Sequence, residues 1–225
     1  MDAVPHPKDR AQSAQEEIAN SLIHGLMLLT AVVAAPFLFV VRSGHELRVM
    51  ETIGYAVFAA TMVLLYLTST VYHALPVGWS KRIFLRLDLG AIYLFIAGSY
   101  TPFAMIAMSA LDGSADPWAW VRLGGVWVLA VTGASLKVFE RLSHPLISTG
   151  LYLVMGWTVL MAAFPLIQRV PASSVFWLVA GGVAYTVGVI FFVLDSRLRF
   201  AHAVWHGFVA TGTGCHFVAV LNYGA

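Results

Sequence analysis

Seven stretches of this chain are long and apolar enough to cross a bilayer, which leaves very few folds open to it. A spanning helix needs about 20 apolar residues at 1.5 Å rise each to traverse a hydrocarbon core about 30 Å thick. The stretches run from Ile18 to Val41, Glu51 to Leu75, Phe84 to Met108, Trp118 to Leu136, Leu146 to Ile167, Ser174 to Leu194 and His202 to Asn222. Only 11% of the 225 residues are charged and 60% are hydrophobic, against roughly 25% charged in an ordinary soluble domain. A soluble globular enzyme, a disordered tail and a coiled coil are excluded. A net charge of +2 without a basic stripe excludes a nucleic-acid binder. The expected fold is therefore all-α, an integral membrane bundle of seven transmembrane helices.

The connectors "RSGHELRVM", "PVGWSKR", "SALDGSADP", "ERLSHP" and "QRVPASS" hold the charges, glycines and prolines that end helices in water. None is long enough for a second domain, so the chain divides into a polar N-terminal tail (1–17) and a seven-helix membrane domain (18–222). The tail carries four acidic residues, unlike the basic start of a signal peptide. No internal repeat or low-complexity segment is visible. The single cysteine, Cys215, permits no intrachain disulfide and is read as small buried packing.

Orientation follows from the basic residues. Lys8, Arg10, Lys81, Arg82, Arg86, Lys137, Arg141, Arg197 and Arg199 fall on the side of the amino terminus, against Arg42, Arg48, Arg122 and Arg169 opposite. This places the amino terminus in the cytoplasm and the carboxyl terminus outside. The expected location is a bacterial plasma membrane. Trp79, Trp118, Trp120 and Tyr223 fit an interfacial belt.

Side chains that stay polar at membrane depth require their own explanation. They are Glu17, Asn20 and His24 on the first span, Ser69 and His73 on the second, Asp88 on the third, and His202, His206 and His216 on the seventh. Ser69 and His73 are four apart, as are His202 and His206, and Glu17, Asn20 and His24 follow a three-then-four spacing. Each group therefore shares one helix face. All but His216 fall near the cytoplasmic ends of their spans, so four helices bring polar groups to one level.

Two imidazoles at i and i+4 can face one divalent ion, and a third from another helix leaves a tetrahedral position open for water. Such an ion, zinc above all, acidifies water toward a pKa of about 7. Asp88 could take the proton, and Ser69 could orient His73 or stabilise an oxyanion. His216 lies about 15 Å along the axis from His206, too far to share the ion.

Other readings of the same residues stand beside this one. His24 and His216 suit helix-to-helix hydrogen bonding, and Asp88 suits pairing with Arg86 or Arg82. Glu17 suits an acidic first turn, and Ser69 a bond back to its own helix. Bis-histidine haem needs a matching pair on a partner helix, and none exists. A proton relay needs ionisable groups continuing into the outer halves of the spans, which the sequence lacks.

The blocks "EEIANSLIHG", "STVYHALP", "LDLGAIYLFIAGSYTPF" and "HAVWHGFVATGTGCHF" resemble the motifs of the hemolysin III proteins, part of the wider progestin and adipoQ receptor family that includes the adiponectin receptors. The resemblance runs from Glu17 to about Val220. It implies seven helices with the amino terminus inside. It also implies zinc held by His73, His202 and His206, with Asp88 contacting the zinc-bound water and Ser69 one turn before the first ligand. The adiponectin receptors and the related alkaline ceramidases imply hydrolysis of lipid amides or esters, with membrane lipids as partners. The hemolysin name implies instead a cytolytic pore, and bacterial members are linked to membrane-lipid homeostasis, where zinc would be structural. Leu89 departs from the pattern, since many relatives carry histidine or tyrosine there. The chain also lacks the long amino-terminal region of the animal receptors, which argues against a hormone-receptor role.

Overall fold

The computed structural model describes residues 10–40, 49–108, 118–142, 144–163 and 171–224. Within them the chain is helical: α1 (Ala14–Ala34), α2 (Phe37–Val40), α3 (Val49–Ala74), α4 (Trp79–Met108), α5 (Ala119–Val138), α6 (Pro145–Ala163), α7 (Ala172–Val193) and α8 (Ala201–Gly224). Six helices meet the length and hydropathy of a membrane span, with α1 and the single turn of α2 forming one of them. The seventh, α6, has 19 residues and is about 28 Å long. Together they make the expected seven-helix bundle of an integral, multi-pass membrane protein. Arg42, Arg48, Arg169 and the connector "SALDGSADP" lie outside the described residues.

The faces of α1 are reversed relative to a helix in water. It buries Glu16, Asn20 and His24 and exposes Ile18, Leu22, Leu26, Leu29 and Val33. A soluble protein would bury the apolar stripe. With lipid as solvent the outward face can be apolar, and only polar groups that find protein partners can stay at depth. Ser13 starts this helix with a full capping box, its hydroxyl accepting from the Glu16 N–H while the Glu16 carboxylate accepts from the Ser13 N–H. The tail thus becomes helix at Ala14.

The longest helix, α4, has 30 residues and packs against α3, α5, α6 and α8. Its polar start, "WSKR", is already helical, so the break between α3 and α4 is shorter than the connector "PVGWSKR" read from sequence. Pro102 lies inside α4 without ending it. The residue facing it on α3 is Gly54, and a Cβ there would come 2.9 Å from the Pro102 Cα. Tyr55, Phe58, Met62, Leu65, Tyr66, Phe95 and Phe103 form the apolar core between α3, α4 and α8.

Two of the neighbours of α8 decide where the site forms. One is α7, its antiparallel partner; the other is α1, from the opposite end of the chain. Thus α1, α3 and α8 meet at the end of the bundle that carries the amino terminus.

Candidate metal centre

At that meeting point His73 from α3 and His202 and His206 from α8 bring one ring nitrogen each within 4.8 Å of the other two. Ring centroids lie 4.7 Å apart for His202 and His206, 4.9 Å for His73 and His206, and 5.2 Å for His73 and His202. His73 and His206 are buried and His202 is half-buried. Helical i, i+4 spacing supplies two of the nitrogens and the approach of α3 to α8 supplies the third.

The donor set fits a divalent ion. A carboxylate can only accept, so the 2.7 Å contact of His73 Nδ1 with Glu17 Oε2 places the proton on Nδ1 and leaves the lone pair on Nε2. That Nε2 is buried without a hydrogen-bond partner, as is His206 Nδ1. His202 Nδ1 likewise donates to Asp195 Oδ2 at 2.8 Å. Buried polar nitrogens left unpaired are costly, whereas neutral imidazoles with free lone pairs are what zinc and its neighbours in the first transition row accept.

Asp88 stands beside Ser69, one turn before His73 on α3, and is half-buried. No carboxylate belongs to the three-nitrogen group among the described residues. Arg86, one partner considered for Asp88, turns instead to Glu140. Ser69 is buried and makes no bond back to its own helix.

Glu17 is more than an acidic first-turn residue. Besides His73 it pairs with Lys81 at 3.1 Å, and Lys81 also donates to the Tyr72 and Leu75 carbonyls at the end of α3. Asn20 donates to Gln12 Oε1 at 2.6 Å and lies 3.5 Å from His73 Nδ1. Asp195 is absent from the residues singled out by sequence, because it lies in the polar turn between α7 and α8. Its one signal is its place seven residues before His202.

His24 is the fourth imidazole of this region. Its ring centroid lies 3.6 Å from that of His206, and neither of its nitrogens has a hydrogen-bond partner among the described residues. From there polar groups continue away from the amino-terminal end, which the sequence did not reveal. The Tyr66 ring is 5.1 Å from His24 and its hydroxyl faces Thr213. Thr213 Oγ1 is 3.0 Å from the Tyr185 hydroxyl, and the Tyr185 ring is 5.4 Å from His216. His216 therefore packs against α7, away from the three-nitrogen group. Cys215 is free and buried.

The amino-terminal segment closes over the α7 to α8 turn. Arg10 makes a two-pronged pair with Glu16, both bonds 2.6 Å, and donates to the Asp195 and Leu198 carbonyls. The Glu16 hydrogen bond holds the Arg10 guanidinium above its ordinary pKa. Glu16 Oε1 also accepts from the Phe200 N–H at 2.7 Å. Phe200 has φ 60°, a backbone region that bulky residues avoid.

Comparison with known proteins shows the family. The model of the haemolysin-III related family matches residues 12–217, which include all three histidines, Glu17 and Asp195. The chain is 36% identical over 212 residues to Hemolysin-3 of Bacillus cereus, covering 94% of this chain and 93% of that protein. It is 35% identical over 209 residues to a Hemolysin-3 homolog of Bacillus subtilis (strain 168), covering 93% and 94%. Monocyte to macrophage differentiation factor of Homo sapiens is 29% identical over 217 residues, covering 92% and 84%. The chain therefore belongs to the hemolysin III family, within the progestin and adipoQ receptor family.

Proposed function

We propose that this protein is a zinc-dependent hydrolase of lipid amide or ester bonds, working at the amino-terminal end of the bundle. The observation that carries the reading is the meeting of His73, His202 and His206 at one buried point; Asp88 stands beside Ser69, one turn before His73 on α3. These three imidazoles would hold the ion, leaving a fourth position for a non-protein group. A bound zinc ion supplies Lewis acidity toward a carbonyl and acidifies water at neutral pH. Asp88, outside the ligand set, would accept the water's proton. Ser69 would offer its hydroxyl to a developing oxyanion. The apolar bundle would hold the acyl chain.

Metal analysis of purified wild type and His202→Ala, with fatty-acid release from total lipid extracts by wild type and Asp88→Asn, tests the proposal. Near-stoichiometric zinc that is lost in His202→Ala, and fatty-acid release that is lost in Asp88→Asn, are expected. A wild type without zinc, or release unchanged in Asp88→Asn, would overturn it.

The printed name of the Bacillus cereus relative, Hemolysin-3, favours a second reading, in which the protein permeabilises membranes and a metal only ties α3 to α8. Dye release from liposomes that is equal for wild type and His73→Ala would select this reading. No release at any protein concentration would dismiss it.

A further inference from the structure

Two of the three imidazoles are each held from behind by a carboxylate that comes from another segment of the chain. Glu17 on α1 accepts from Nδ1 of His73 on α3 at 2.7 Å, and Asp195 in the α7 to α8 turn accepts from Nδ1 of His202 on α8 at 2.8 Å. The two contacts are chemically equivalent though nothing in their local structure is shared. In His73 the other nitrogen, Nε2, is buried and unpaired. His206 has no such partner, and its Nδ1 is unpaired.

We propose that Glu17 and Asp195 are positioning residues of the metal centre, and that Arg10 ties them into one outer ring, so that affinity for zinc is set in part by the amino-terminal segment. The inference rests on the metal-binding half of the reading above and is independent of any hydrolysis. A carboxylate behind a ligating imidazole fixes the tautomer, fixes the ring's orientation and raises the basicity of the free nitrogen. The same nitrogen facing water would sample both tautomers.

Arg10 joins the two carboxylate-bearing segments directly. It pairs with Glu16, the neighbour of Glu17, and donates to the carbonyls of Asp195 itself and of Leu198. The Arg10 backbone N–H adds a bond to the Ser196 carbonyl at 3.3 Å. Glu16 in turn accepts from the Phe200 N–H, which fastens the turn at its left-handed residue. Backbone held in a sparsely populated region persists where its surroundings over-determine it. Here the bonds from Arg10 and Glu16 to each other and to this turn do so, and they aim Asp195 at His202.

The test is competition for zinc between full-length protein in detergent and a chromogenic chelator, comparing wild type, Glu17→Gln, Asp195→Asn, Arg10→Met and Lys81→Met. Each carboxylate-to-amide change keeps side-chain volume and one accepting oxygen but removes the charge. Each is expected to weaken zinc binding roughly 10- to 100-fold, and Arg10→Met less than either. Lys81→Met, which removes the ammonium from Glu17 and from the Tyr72 and Leu75 carbonyls but leaves the Glu17–His73 contact, is expected to stay within about threefold.

Thermal unfolding of zinc-stripped samples separates positioning from bulk stability. If Glu17→Gln and Asp195→Asn match wild type without zinc and lose part of the zinc-dependent rise in Tm, the proposal stands. If they bind zinc as tightly as wild type, or lose equal stability with and without zinc at unchanged affinity, it is overturned. A wild type that binds no zinc defeats the reading of the site itself, a result distinct from wild-type binding that the variants leave unchanged. Should Glu17→Gln fail to accumulate, Asp195→Asn decides the same point from the other carboxylate.

Discussion

The carboxylate of Glu17 and the imidazole of His73 meet at 2.7 Å although the two residues stand 56 positions apart, one near the start of α1 and the other near the end of α3. The pairing explains how a glutamate is tolerated where a helix enters the membrane. An unpaired carboxylate at that depth is expensive, whereas this one accepts from an imidazole and an ammonium together.

On the proposed reading, removing metal should destabilise the protein, because an ion held by His73, His202 and His206 would cross-link α3 to α8. A ligand that binds only the folded state adds about 2.7 kcal/mol at a concentration a hundredfold above Kd. Chelation should therefore lower Tm of wild type. Alanine variants of any of the three histidines should show a Tm that chelator does not change.

His24 should prove dispensable for metal binding. Its ring lies against that of His206, but its nitrogens are outside the three-nitrogen group. His24→Gln is expected to retain near-stoichiometric zinc by elemental analysis. Loss of zinc would make it a fourth protein ligand and close the position that hydrolysis needs.

The fit of α7 to α8 predicts a sharp asymmetry between two glycines. A Cβ on Gly212 would lie 2.6 Å from the Tyr185 ring, while one on Gly207 would meet nothing within 4 Å. Gly212→Ala must displace Tyr185 and break its bond to Thr213, at a cost of about 1–3 kcal/mol. Gly207→Ala should be neutral or stabilising by up to about 1 kcal/mol, since alanine favours helix. Unfolding in detergent mixtures reads both.

Orientation is open to cysteine labelling, with little background from buried Cys215. Val77, in the turn between α3 and α4, is 97% exposed. With the amino terminus in the cytoplasm, Val77→Cys should react with an impermeant thiol reagent only after cells are opened, and Ser114→Cys in intact cells. The reverse pattern would put the three histidines at the outer face.

Much of the architecture is legible in the sequence because lipid imposes simple rules. A segment must be long, apolar and helical to cross, so the spans can be read off directly. The i, i+4 spacing puts His202 and His206 on one face before any neighbour is known. The backing carboxylates are less visible, each for its own reason. Asp195 sits in a polar turn where an acidic residue is ordinary, and Glu17 occupies a first turn that favours acids anyway. Arg10 reads only as a topogenic charge, since no periodicity connects it to carbonyls more than 180 residues away. The polar contacts running from His24 to His216 leave no trace in the charge pattern, because they depend on tyrosine and threonine hydroxyls, which carry no charge at neutral pH.

That α1 and α8 both build the centre has a consequence for how the protein is made. His206 leaves the ribosome 189 residues after Glu17, so no nascent intermediate that stops short of α8 can hold the complete set. Glu17 and His73 come from earlier helices than the other two imidazoles, which only α8 supplies. Any metal that the three imidazoles take up would then be captured last, after every helix has been threaded.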